Sequence, residues 1–332
     1  MKQEVKKRKY HAMKLTACMD VQIELCRKEK RLGTAIGYLR TRDDFTRFLG
    51  TIGKSDISIR KITPELLADY QEWIIGRGKA HNTLSFHMRN LRSVYRMALK
   101  DGWIPRSQQH LNPFEHVCTS VAPTHKRAAD PHIMTLLNQL DIAEGLKSLG
   151  RLAHRTSFEK MLREVSFARD IFVFCFCACG LPFVDFIHLT PKNIQGGMLH
   201  YERQKTGTHI EMEILPPMQR FIDRYATNGP YLFPFLTTTN MEESYQQYQK
   251  AIRKYNHRLK QLSQMLPSDI NLSTYVARHT WATTVYHNDM PESYIKERMG
   301  HTSLQTTRNY LKSFESSKID EVNKRILSAI IE

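Results

Sequence analysis

Close to the C-terminus, three side chains able to act together on one phosphate group follow each other in short order. Arg278 opens Arg278-His279-Thr280-Trp281-Ala282-Thr283, His301 ends Met299-Gly300-His301, and Tyr310 ends Thr306-Thr307-Arg308-Asn309-Tyr310. A tyrosine can supply a nucleophile, and an arginine and a histidine can supply donors for charge developing on phosphoryl oxygens. A phenol attacks poorly at neutral pH, so such a site must stabilise the phenolate as it forms. Arg278 falls in a helix expected over residues 274 to 286, beside Val276, Ala277, Trp281, Ala282 and Val285. An arginine embedded there needs an anionic partner, and its fork of N–H groups suits a non-bridging phosphate oxygen. His301 follows Gly300, which reads as the end of a helix begun near Pro291. Thr306 or Thr307 is expected to cap a short helix carrying Tyr310. The competing readings are a packed tyrosine, a surface arginine and a loop histidine bonded to backbone.

The elements that must position these groups are mostly helical. Gly196-Gly197 reads as a turn, and Met198 to Lys205 and His209 to Leu215 alternate like strands joined by Thr206-Gly207-Thr208. Lys205 stands at the tip of that hairpin. Arg203 lies two residues earlier, so on a strand it is expected on the same face as Lys205. Helices resume after Pro217. Upstream, Gly33 to Gly50 reads as a first helix with Tyr38, Leu39, Phe45, Phe48 and Leu49 as core. Thr63-Pro64-Glu65 reads as N-cap and first turn of a second, with Leu66, Leu67, Tyr70, Trp73 and Ile74 as its stripe. A third begins at Asn82 or Thr83 and runs to about Leu99.

The expected fold is mainly α with a small antiparallel β-sheet. Residues 1–32 are expected to be a short basic segment and 33–114 a helical domain. A linker follows over 115–129; Asn112-Pro113, just ahead of it, and Ala122-Pro123, within it, break regular structure. A second domain occupies 130–332, opened by Asp130-Pro131. Its tail carries Ile319, Val322, Ile326 and Ile330 at helical spacing, suited to docking on another protomer or on its own domain.

A length of 332 residues, 41% of them hydrophobic, suits two ordinary domains, and a formal net charge of +16 predicts attraction to a polyanion, nucleic acid being the usual one. A membrane partner is not expected, since no run approaches a spanning helix. The N-terminus lacks an apolar core followed by a cleavage site, so a secretory signal is not expected. Six cysteines in so long a chain do not read as a disulfide framework, and a reducing cytoplasm fits them. Cys175, Cys177 and Cys179 lie in an apolar run and read as small hydrophobes of a buried helix rather than metal ligands.

Taken together, Arg278-His279-Thr280, Gly300-His301 and Tyr310 resemble the catalytic C-terminus of the tyrosine recombinases, the phage-integrase family. The resemblance covers the second domain and extends loosely to the first, which looks like that family's core-binding domain. In the form of Thr63-Pro64, Asn82-Thr83 and Lys205-Thr206-Gly207 the likeness is closest to integrases of Bacteroides-type bacteria. It implies a site-specific DNA recombinase working through a 3′-phosphotyrosyl intermediate, with Tyr310 as nucleophile and Lys205 protonating the leaving 5′ oxygen. It implies no cofactor and no metal, since the phosphotyrosyl bond conserves the energy of the broken phosphodiester. The implied partners are double-stranded DNA, further copies of the chain in a tetramer on two DNA sites, and accessory DNA-bending proteins. The implied location is the cytoplasm, on the nucleoid.

Two positions depart from the family. Tyr275 stands where histidine is usual, and a phenol is a much weaker base near neutral pH. This leaves open which group accepts the proton of Tyr310. Cys179-Gly180-Leu181-Pro182-Phe183-Val184-Asp185 matches the family's first arginine box, but Pro182 holds the arginine position and has neither cation nor N–H to give. Asp185 fits that box's acidic residue, supporting the site from behind. Arg203 is the candidate replacement cation, with pairing to Glu213 as the alternative.

Outside the site, Arg89, Arg92 and Arg96 fall on one helical face without interspersed acids, opposite Leu84, Met88, Leu91, Val94 and Tyr95. That face is expected to meet DNA, as are Lys126 and Arg127 in the linker. The rival functions are a catalytically impaired DNA-binding protein of the same fold and a type IB topoisomerase-like relaxing enzyme.

Overall fold

A computed structural model of the chain describes residues 13–105, 112–122, 128–150, 155–267 and 271–311. The chain forms two units, residues 1–124 and residues 125–332. Lys126, Arg127 and the tail stripe from Ile319 to Ile330 lie outside the described residues.

The first unit is built from α1 (Leu15–Lys28), α2 (Leu32–Thr51), α3 (Pro64–Gly76) and α4 (His81–Lys100). The Thr63 side chain accepts from the Leu66 N–H and Pro64 fills the first turn, which starts α3 where the sequence places it. Along α4, Leu84, Met88, Leu91, Val94, Tyr95 and Ala98 are buried at a spacing of three and four residues. They meet Phe45 and Phe48 of α2 and Tyr70 of α3 in one core. The Phe45 and Tyr70 rings pack edge to face at 4.7 Å.

The expectation of a weakly patterned basic segment ahead of Gly33 is corrected. Leu15, Cys18, Met19, Ile23 and Cys26 recur at helical spacing along α1 and are buried in that same core. The Leu15 N–H donates to Ile57 O at 2.8 Å, which ties the start of α1 to the turn before α3. The other edge moves too. Val117 and Cys118 pack on this core, the Cys118 N–H donates to Gln71 at 3.1 Å, and Asn82 exchanges two bonds with Ala122. The first unit's packing therefore runs past residue 114 into what reads as linker.

The second unit contains α5 (Ile133–Gln139), α6 (Ile142–Ser148), α7 (Arg155–Cys177), α8 (Phe183–Phe186), β1 (Ile194–Gln195), β2 (Met198–Glu202), β3 (His209–Glu213), α9 (Pro216–Tyr225), α10 (Met241–Met265), α11 (Val276–His287), α12 (Glu292–Met299) and α13 (Leu304–Leu311). Its core is dense in phenylalanine, with Phe174, Phe186, Phe221 and Phe233 in mutual ring contact at 4.7–5.9 Å. Cys175 is buried in α7; Cys177 and Cys179 are only partly buried, because α7 ends at Cys177. The three strands form an antiparallel sheet in the order β1-β2-β3. Leu199, Tyr201, Ile210 and Met212 face the core, and β1, hidden in sequence by its length of two residues, pairs with the start of β2. A smaller apolar cluster of Trp281, Ala282, Ile295, Met299 and Leu311 joins α11, α12 and α13. That cluster sets the spacing of α11, which carries Arg278, of α13, which carries Tyr310, and of α12, which ends just before His301.

Candidate active site

Arg278 lies in the first turn of α11 and is 4% exposed. Instead of an acid, its guanidinium meets two backbone carbonyls, donating from Nη1 to Gly180 O at 2.9 Å and from Nη2 to Met299 O at 2.7 Å. Burial, and after it the charge of Arg203, pulls its pKa down to about 10. A cation held under such conditions gains when an anion arrives.

Two glycines make this pocket. Gly180, at φ +71°, leaves the turn after α7 so close to α11 that an added Cβ would lie 2.9 Å from Arg278 Cα. Gly300, at φ +63°, ends α12 with paired bonds from its own N–H to Glu297 O and from the His301 N–H to Lys296 O. A Cβ there would meet Arg203 Cγ at 2.7 Å.

His301 Nδ1 lies 2.9 Å from Thr307 Oγ1, and Nε2 lies 3.5 Å from Arg278 Nη2. A guanidinium can only donate. The Arg278 contact therefore calls for an unprotonated Nε2, with Nδ1–H donating to Thr307. Thr307 is buried within α13 and Thr306 is in its first turn, so neither is the cap expected of them; the Ser303 hydroxyl accepts from the Thr306 N–H instead. Tyr310, half-buried on α13, sets its ring edge-on to His301 at 5.8 Å. Burial pushes its phenol well above the ordinary value of 10, opposed by Arg278.

The Tyr310 hydroxyl is in hydrogen-bond contact with His279 Nδ1, and the two rings stack at 5.1 Å. The sequence displays His279 beside Arg278 but gives no sign of this contact. It arises because α13 returns against α11 some thirty residues later. Tyr275 precedes α11 rather than lying inside it, is 57% exposed, and sets its ring 6.1 Å from that of His279.

Arg203 does belong to this cluster, though not by the strand geometry expected of it. β2 ends at Glu202, Arg203 is 7% exposed, and Lys205 sits exposed on the following turn, so the two do not share a strand face. Arg203 Nη1 donates to Met299 O at 2.7 Å, the carbonyl that also receives Arg278. Its Nε stands 2.8 Å from Asp185 Oδ2 without the N–H being aimed at that oxygen, a buried ion pair rather than a hydrogen bond. Glu213 is not its partner. Asp185 is 3% exposed and accepts from the Gln204 N–H at 2.8 Å. Burial raises its pKa, and Arg203 opposes the shift. Pro182 is buried at the start of α8, and its carbonyl accepts the Phe186 N–H. The hairpin tip is tied down beside His301, since Thr206 Oγ1 donates to Gly300 O at 3.1 Å.

In the first unit, Arg89 and Arg96 are exposed and Arg92 is half-buried on one side of α4, where Arg92 donates to Thr119 at 3.1 Å. Among the described residues, His200, His209 and Glu211 could hold a metal ion, with ligand atoms within 4.8 Å of one another on the outer face of the sheet. They have no part in the Tyr310 cluster. No helix among the described residues is long and apolar enough to cross a membrane.

A phenol, an imidazole and two guanidiniums thus converge from α11, α12, α13 and the β2–β3 turn. Such a set can bind a phosphodiester, attack it and stabilise the charge on its oxygens. Residues 14–115 match the family model of the phage integrase SAM-like domain, and residues 168–317 match that of the phage integrase family. Comparison by sequence with curated proteins gives no match. Among solved structures, a lambda integrase dimer bound to a COC′ core site is similar at a TM-score of 0.59 and 14% identity, over 93% of this chain and 80% of that one. The Tn1549 transposon integrase in complex with transposon right end DNA is similar at 0.58 and 13%, over 92% and 98%. A lambda integrase tetramer bound to a Holliday junction is similar at 0.57 and 14%, over 88% and 79%. At these identities the structures share the fold, and the matched domains, about three quarters of the chain between them, give the relationship. The chain belongs to the tyrosine recombinase (phage integrase) family.

Proposed function

We propose that this chain is a site-specific DNA recombinase that cleaves and rejoins strands of duplex DNA through a 3′-phosphotyrosyl link to Tyr310, giving integration, excision or inversion. The observation that carries the reading is the convergence of Arg278 and Tyr310, from α11 and α13, with His301, from the loop after α12. Arg278 holds a non-bridging oxygen of the scissile phosphate, and His301 donates to another once its tautomer or charge provides a proton on Nε2. Arg203 supplies the cation absent at Pro182, fixed by Asp185. Two guanidiniums against one carbonyl repel each other, and a phosphodiester relieves that repulsion. Lys205 gives its proton to the leaving 5′ oxygen from the hairpin tip.

Arg89, Arg92 and Arg96, with Lys126 and Arg127, bind phosphates of the flanking duplex. The lambda integrase structures are a dimer and a tetramer on DNA, and this chain is proposed to assemble likewise, its tail stripe from Ile319 to Ile330 joining protomers. Accessory DNA-bending proteins would aid such an assembly. The Bacteroides-type form of its motifs directs the search for its DNA to mobile elements of that group.

The test is recombination in cells. A plasmid carrying the DNA that flanks the gene is expected to give rejoined junctions, read by sequencing, with the wild-type chain and none with Tyr310→Phe. Junctions that persist in the phenylalanine variant would remove Tyr310 from the reaction.

A further inference from the structure

The phenol of Tyr310 has to lose its proton as it attacks, and burial makes that loss harder. Tyr275 is an exposed phenol and a poor base. His301 is engaged on both nitrogens, by Thr307 and toward Arg278. Arg203 and Arg278 have no lone pair to offer. Among the described residues, His279 is in hydrogen-bond contact with the nucleophilic oxygen, through Nδ1.

We propose that His279 is the general base of DNA cleavage, an inference that rests on the recombinase reading. Its Nδ1 can accept only in the tautomer that carries hydrogen on Nε2. The ring stack of 5.1 Å at 26° between His279 and Tyr310 holds that nitrogen toward the phenolic oxygen. His279 is also the residue after Arg278 on α11, about 100° further round the helix. One rigid element therefore presents the phosphate-binding cation and the proton acceptor together. Tyr275, one turn earlier, accepts the His279 backbone N–H at 2.9 Å, and its ring flanks the imidazole.

In the forward step the Tyr310 oxygen bonds to phosphorus as the bond from phosphorus to the 5′ oxygen breaks. The phenolic proton passes to His279 Nδ1, giving imidazolium, and the leaving 5′ oxygen takes a proton from Lys205. In the reverse step the attacking 5′-hydroxyl returns its proton to Lys205, and the imidazolium reprotonates Tyr310. The two steps balance and call for no co-reactant.

The experiment uses the full chain and nicked suicide duplexes tiled across the DNA flanking its gene. Single-turnover adduct formation is followed from pH 5 to 9. With wild type, the rate is expected to rise with pH across the imidazole range, about pH 5 to 8. His279→Gln keeps a hydrogen-bond acceptor but is no base, and is expected to bind the same duplex and cleave about 10²–10⁴-fold more slowly without that rise. His279→Ala is expected to regain part of its rate when free imidazole is added. Tyr275→Phe is expected to cleave within about threefold of wild type and keep the pH profile, since a phenyl ring flanks His279 as well. A His279→Gln rate near wild type, or a wild-type profile without the acid limb, would make His279 a positioning residue and overturn the proposal while leaving the recombinase reading intact. A wild-type chain that forms no adduct on any duplex overturns both.

Discussion

Replacing Gly180 by alanine measures how firmly the fold holds Arg278. Gly180 sits at φ +71°, where an L side chain costs about 1–2 kcal/mol. The added Cβ would also meet Arg278 at 2.9 Å from Cα, 3.0 Å from Cγ and 3.2 Å from Cβ. Rotating the arginine cannot relieve a contact with its own backbone, so the turn after α7 must move away from α11. Ordinary contact begins at 3.4 Å, a displacement of about 0.5 Å. Crowding of this kind costs about 1–3 kcal/mol, so the expected loss of stability is about 2–5 kcal/mol. The moving turn carries the Gly180 carbonyl that accepts from Arg278 Nη1. A displacement of about 1 Å at a catalytic group costs about 10²-fold, so half of that predicts about a tenfold slower cleavage. Gly196→Ala is the control, because Gly196 has φ +56° with no atom within 4 Å of the added Cβ. It should lose about 1–2 kcal/mol and cleave normally. Urea unfolding of the full chain and single-turnover adduct formation read the two effects. Equal stability losses in the two variants, with unchanged cleavage in Gly180→Ala, would show that the turn after α7 does not hold Arg278 in place.

Further outcomes follow from the same geometry. Asp185→Ala leaves Arg203 buried beside Arg278 without its counter-charge, and urea melts should show a loss of about 3–5 kcal/mol. Replacing Arg89, Arg92 and Arg96 by alanine should flatten the salt dependence of DNA binding by up to about three units, one per phosphate contact; an unchanged slope returns that face to plain solvent. His87 is buried in the first unit, and burial, opposed by Asp44, lowers its pKa below the ordinary 6.5. The folded chain then binds fewer protons than the unfolded one, so the stability from neutral His87 is present above about pH 6.5 and lost as pH falls from there toward the folded pKa. Melts across that window should show this slope in wild type and a flatter one in His87→Gln.

Much of the scaffold is legible in the sequence where local physics decides it. Thr63-Pro64 starts α3, the stripe from Leu84 to Ala98 makes α4, and Gly300 ends α12. α1 escapes because its buried set relies on Cys18 and Cys26 and is interrupted by charge, which weakens the apolar pattern without weakening the packing. Arg203 is found for an incomplete reason. Its residue type and nearness to Lys205 point to the site, but the chain leaves β2 at Glu202, and Asp185 and Met299, distant in sequence, fix its direction. Ser303 rather than Thr306 caps α13 because the helix begins a turn earlier than the tyrosine motif suggests. The His279–Tyr310 contact has no local signature at all, since it depends on how α11 and α13 pack around Trp281, Met299 and Leu311.

In the proposed reaction Tyr310 forms the covalent bond to DNA. The most direct measurement is mass spectrometry of the protein–DNA adduct trapped on a nicked suicide duplex from the flanking DNA, after proteolysis and nuclease trimming. A nucleotide attached through a 3′-phosphate to the peptide containing Tyr310 is expected, and no adduct from Tyr310→Phe. A nucleotide on any other residue, or an adduct of equal yield from the phenylalanine variant, would contradict that role of Tyr310.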